Sequence, residues 1–141
     1  MKIRTDFVTN SSSSSFVIAY KEHNDFDSET LSKYPFLKNY NSLMNAVLFS
    51  SDSYETTEGD VFTTKEDFTE TIIKEYGWSS TTIEDVLKEN SWLKEVYEKA
   101  IECLEKGFKI MMKQVGYHDK SLSDVIHTMQ NDDFIILMDD E

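Results

Sequence analysis

Five consecutive serines, Ser11, Ser12, Ser13, Ser14 and Ser15, follow Asn10 and run straight into Phe16-Val17-Ile18-Ala19-Tyr20. Hydroxyls and backbone N–H groups gathered in a tight loop can bind an anion. Serines also accept phosphate and other modifications. A serine acting as a nucleophile needs a base held beside it. His118-Asp119 is the best-placed pair for such polar work, and with Asn10 and the serines it forms the candidate binding or modification set. The tract has no glycine or lysine, so it is not a Walker-type phosphate loop. The plainer reading is a polar hairpin loop whose hydroxyls cap their own backbone.

A second candidate set is acidic, and the segment Glu22–Asp27 adds to its negative surface. Asp52, Glu55, Glu58 and Asp60 cluster in one polar stretch, and Asp139, Asp140 and Glu141 close the chain. Neither group has the EF-hand order of ligands and glycine. The three histidines, His23, His118 and His127, show no HExxH-type spacing. No metal and no cofactor are therefore expected. Cys103 sits on the apolar stripe of a helical pattern and reads as a buried, inert thiol. No catalytic residue is assigned, and an enzyme is the weaker expectation.

The elements that must position these groups follow from hydrophobic periodicity. Lys2–Thr9 alternates as a strand, and Phe16–Lys21 reads as a second, apolar on both faces, with the serines as the loop between them. A short helix from Ser28 must stop ahead of Pro35. Offsets of three and four in Phe36–Phe49 suggest an amphipathic helix, although Ala46–Phe49 also suits a strand. Ser50–Asp60 reads as an exposed loop. Thr63-Thr64-Lys65-Glu66 and Thr81-Thr82-Ile83-Glu84 are capping-box patterns. The first helix ends at Gly77. Ser91 opens the strongest helix, which stops at Lys106 and Gly107. Phe108–Val115 reads as a strand, Ser121–Gln130 as a short helix, and Phe134–Met138 as a central buried strand. The two late strands either run side by side in parallel or flank another strand. The expected fold is α+β: a small sheet of N- and C-terminal strands, with four or five helices packed on one face.

The chain has 141 residues, which fits one domain, 1–141. Aromatic residues make up 13%, enough for a substantial core. Lys and Arg total 14 against 27 Asp and Glu, a net charge of −13. Such a surface repels phosphate backbones and anionic membranes, so direct nucleic-acid and membrane binding are not expected. It favours a protein partner with a basic surface. The single cysteine and the absence of an apolar signal core in Met1–Asp6 point to the cytoplasm.

The stretch from Lys2 through Thr5-Asp6-Phe7-Val8-Thr9-Asn10 and the serines to Phe16 resembles the opening of a set of uncharacterised small proteins of Firmicutes and their mobile elements. It covers about a tenth of the chain and implies an origin, with no established activity. Composition and resemblance lead to one expectation: a non-enzymatic acidic interaction protein. In its sharpest form it is a phage or mobile-element inhibitor that mimics nucleic-acid charge. The alternatives are a carrier modified on Ser11–Ser15, and a small-ligand binder or enzyme combining that loop with His118 and Asp119.

Overall fold

The computed structural model describes residues 13–51, 56–78, 81–116 and 119–140. The strand expected at Lys2–Thr9 lies outside them. So do Asn10, Ser11, Ser12, Asp52, Glu55, His118 and Glu141.

Four strands form one antiparallel sheet in the order β2-β3-β1-β4. They are β1 (Ser13–Tyr20), β2 (Asp60–Phe62), β3 (Lys109–Gly116) and β4 (Phe134–Asp140). Strand β1 pairs along its whole length with β3, from Ser13 opposite Gly116 to Tyr20 opposite Lys109. Its other side pairs with β4. Both neighbours run against β1, so β3 and β4 are parallel to each other and flank it, the second of the two expected arrangements.

Among the described residues six α-helices surround the sheet: α1 (Ser28–Lys33), α2 (Tyr40–Leu48), α3 (Lys65–Tyr76), α4 (Ile83–Glu89), α5 (Ser91–Glu105) and α6 (Lys120–Thr128). The α+β class is as expected, but the helices cover both faces of the sheet, not one. Val17 and Ala19 of β1 join Ile110, Phe68, Ile72, Val86, Leu93 and Ala100 in one core under α3, α4 and α5. Phe16, Ile18 and Tyr20 join Met111, Val115, Met44, Leu48 and Ile126 in a second, under α2 and α6. Alternation along a strand sends successive side chains to opposite faces, so a strand apolar at every position needs cover on both.

Three further expectations are corrected. Ser13, Ser14 and Ser15 belong to β1 and are not loop residues. Strand β4 is at the sheet edge, with only Phe134 fully buried and Ile135–Met138 half-buried. The pattern Phe36–Phe49 breaks into a 3₁₀ turn, Pro35–Asn39, followed by α2, and Ala46–Leu48 is helical.

Helix starts shift by a residue. Thr64 and Thr82, the second threonine of each pair, are the N-caps, and their hydroxyls accept from the N–H groups of Asp67 and Asp85 at 3.2 and 3.3 Å. Asn90, not Ser91, precedes α5, and α6 begins at Lys120. The expected stop of α5 is a full Schellman motif. Gly107 takes φ +90°, its N–H donates to the Leu104 carbonyl, and the Phe108 N–H donates to Cys103. No helix of the described residues is long and apolar enough to cross a membrane.

Gly59 and Gly107 both hold positive φ, yet their surroundings differ. A Cβ on Gly59 would lie 3.1 Å from the Met112 carbonyl oxygen and 3.1 Å from Met111 Sδ, whereas one on Gly107 would meet nothing within 4 Å. Gly59→Ala is therefore expected to destabilise by on the order of 2–3 kcal/mol, and Gly107→Ala by about 1 kcal/mol from φ strain alone. Urea denaturation of the two variants checks the order, and equal losses would refute the steric argument.

Candidate functional site

The serine end of β1 lies against a cleft. Ser15 pairs with Gln114 of β3 and, like Val17, faces the α3–α5 layer. It is 4% exposed, and its Oγ has no hydrogen-bond partner. Beside it opens a cleft of about 390 Å³. Val17, Met112 and Met138 give the cleft apolar walls, and Thr57, Thr71, Gln114, Asp60 and Glu75 give it polar ones. The register shift in β4 between Val17 and Ile18 sets Met138 opposite Val17, on this face. Modification of Ser15 would require opening a strand that is bonded on both sides, so its burial does not favour the carrier reading.

Around the same strand end a lysine is buried. Lys113 is 3% exposed and stands opposite Phe16, on the α2 side of the sheet. Its Nζ donates to the Ser50 and Thr57 carbonyls, each at 2.5 Å. Burial lowers its pKa from the ordinary 10.5 to about 8, against the opposing pull of the Glu58 and Asp119 charges. The segment it holds is stitched to β3 by further bonds. Thr57 N–H donates to the Gln114 carbonyl at 2.8 Å, Gln114 N–H donates to Thr57 Oγ1 at 3.0 Å, and Gly116 N–H donates to Thr56 Oγ1 at 2.8 Å. Thr56 Oγ1 in turn donates to the Asp119 carboxylate. Asp119 thus ties the loop to the start of α6 and does not line the cleft with Ser15.

Two histidine–carboxylate pairs went unseen in the sequence. His23 Nδ1 lies 2.7 Å from Asp133 Oδ2, and Lys21 Nζ lies 3.8 Å from Asp133 Oδ1. With Asp25 these form a His–Asp–Asp group whose ligand-type atoms all lie within 4.8 Å, the spacing a metal would need. Lys21 already supplies a cation there, and the pair joins the end of β1 to the turn before β4. His127 Nε2 lies 2.5 Å from Asp139 Oδ2, and its Nδ1 lies 2.8 Å from the Ser123 carbonyl. Both neighbours are acceptors, so both bonds form together only when the ring carries two protons or Asp139 carries one. Asp139 is consequently half-buried and paired, not part of an open acidic surface. Cys103 is buried as expected, and burial, followed by the Glu102 charge, pushes its thiol pKa up.

The densest acidic surface lies where the sequence shows no run of acids. Helices α3, α4 and α5 carry eleven acidic side chains, all exposed, against five lysines. These three helices pack side by side over one face of the sheet. Glu58 and Asp60, both exposed, lie just before them. The Lys99–Glu95 and Lys106–Glu102 pairs, at 2.9 and 3.0 Å, offset little of this charge because they are fully solvated. On the other side, residues 30–51 contain Lys33 and Lys38 and no acid. That segment also holds the exposed Tyr34, Phe36, Leu43 and Phe49. Helical acid is therefore concentrated on the α3–α5 layer, while exposed apolar groups occur on both sides, with Trp78 after α3 and Trp92 on α5.

Comparison with protein families, with curated proteins and with solved structures finds no match to this chain.

Two outcomes follow for the strand end. Folded Lys113 releases its proton near pH 8, whereas the unfolded chain keeps it to about 10.5. Between those values the unfolded state binds more protons, so stability rises with pH. Chemical denaturation at several pH values across that window should show the rise in the native chain and its loss in Lys113→Met. A parallel response in both would refute the assignment. Ser15→Ala removes a buried, unpaired hydroxyl and should leave stability unchanged or raise it by up to about 1 kcal/mol.

Proposed function

We propose that this chain is a non-enzymatic interaction protein whose acidic α3–α5 layer docks on a basic surface of another protein. The single observation that carries this reading is the one-sided distribution of charge. Eleven exposed carboxylates stand on three mutually packed helices, while α1, α2 and α6 together carry only Glu29 and Asp124. A fixed array of this kind attracts a cationic surface and accelerates encounter. It also presents carboxylates on rigid backbone, in the manner of regularly placed phosphates. The sharper form of the proposal is an inhibitor that occupies the nucleic-acid site of a basic protein. The resemblance of the opening segment to proteins of Firmicutes mobile elements suits that form, and the single cysteine suits the cytoplasmic setting it requires.

The test is co-purification of the tagged chain from its native host at ~50 mM and then ~500 mM salt. It is repeated with Glu70→Gln/Glu84→Gln/Glu98→Gln and with the off-layer control Glu22→Gln/Glu29→Gln/Asp124→Asn. The expected result is a nucleic-acid-binding protein retained at low salt by the native chain and the control. It should be lost at high salt and lost with the α3–α5 variant. Retention that ignores salt, or equal retention by both triple variants, would sink the proposal.

A further inference from the structure

The cleft beside Ser15 combines three properties that no other part of the fold explains. Its floor is apolar, formed by Val17, Met112 and Met138. Its rim holds two exposed carboxylates, Asp60 and Glu75. Its wall holds the Ser15 hydroxyl, 4% exposed and without a partner. A buried hydroxyl left unbonded costs stability that folding alone does not return. A volume of about 390 Å³ falls in the range of small-ligand pockets, where an apolar lining with a few placed polar groups is usual.

The charge of the cleft selects the ligand. Lys113 is the one cationic residue among its described lining, and its ammonium is already held by the Ser50 and Thr57 carbonyls. An anion would meet Asp60 and Glu75, whereas a cation would be drawn to them. The apolar floor then asks for a hydrocarbon stem behind the cationic head. Thioethers suit such a stem because methionine adapts its shape to what it packs against.

We propose that this cleft binds a guanidinium or alkylammonium group carried on a short apolar stem. The head pairs with Glu75 and Asp60, the stem lies on Val17, Met112 and Met138, and the Ser15 hydroxyl oxygen accepts a hydrogen bond from an N–H of the head. This is the chemistry of an arginine or lysine side chain and of a small alkyl amine alike. The assignment does not depend on the docking of the α3–α5 layer, since a small cation reads it directly.

The experiment is an NMR titration of the full chain with methyl-labelled methionine and labelled amides. The probes are n-butylguanidinium, its neutral analogue n-butylurea, and a capped pentapeptide with arginine at its centre. Saturable shifts at the Met112 and Met138 methyls and the Ser15 and Gln114 amides are expected with butylguanidinium. Binding should weaken about tenfold in Glu75→Gln, as for loss of a charge-assisted contact, and hold in Glu29→Gln on α1. Both residues are exposed, so neither variant threatens the fold. Tighter binding of the pentapeptide would identify a protein side chain as the source, and tighter binding of butylguanidinium a small molecule. Absence of saturation, equal binding of butylurea, or shifts spread over the acidic helices without the cleft would each overturn the proposal.

Discussion

From Ser15 to Tyr20, strand β1 meets water on neither face. Phe16, Ile18 and Tyr20 fill the core under α2 and α6, while Val17 and Ala19 fill the core under α3, α4 and α5. Its backbone is bonded on both sides, to β3 and to β4. Each large side chain buried there contributes on the order of 1.5–3 kcal/mol. More important is what this central position forbids. A slip of one residue would exchange the two apolar sets between cores of different shape and carry Lys113's partner loop out of place. Register in β1 therefore fixes the positions of Ser15, Lys113 and the cleft together.

The sheet also separates two chemistries. Helices on one side carry eleven of the 23 described carboxylates and helices on the other carry only Glu29 and Asp124, so the apolar sheet separates a polyanionic helical layer from one with little helical acid. Self-repulsion within the acidic layer opposes folding and is tolerated because the core beneath it is large. Lys113 is a small counterpart on the opposite face, a cation kept in a dry place by two carbonyls.

Much of this architecture was legible from local pattern. Helices α3 and α5 announced themselves by apolar spacing, α5 by its Gly107 stop, and β3 by alternation after that glycine. Tandem threonines offered two equivalent caps, and only the backbone geometry chooses the second. The apolar run in β4 reads as central because hydrophobicity does not distinguish an edge strand covered by helices from an interior one. Serines 13–15 have low strand preference, and pairing with β3, joined at Ser15 by pairing with β4, overrides it. The His23–Asp133 pair joins residues 110 apart in sequence, a closeness that only the β1–β4 pairing creates. The acidic layer was hidden because helical spacing disperses its charges along the chain, while a reading by runs sees only Asp139-Asp140-Glu141 and its like. The cleft depends on a shift in β4 register, which no spacing rule announces.

That register shift has a further consequence at the border of the sheet. Among the described residues β2 and β4 are the edges. One offers only three residues, and the other is kinked by the extra residue Leu137 and ends in Asp139-Asp140. The Gln130 side chain also accepts from the Ile136 N–H at 3.3 Å, occupying a group that a foreign strand would need. Short, bent and charged borders are what keep sheets from adding strands from neighbouring molecules. The irregularity that sets Met138 over the cleft thus also guards a chain rich in β-forming residues against polymerising into fibrils.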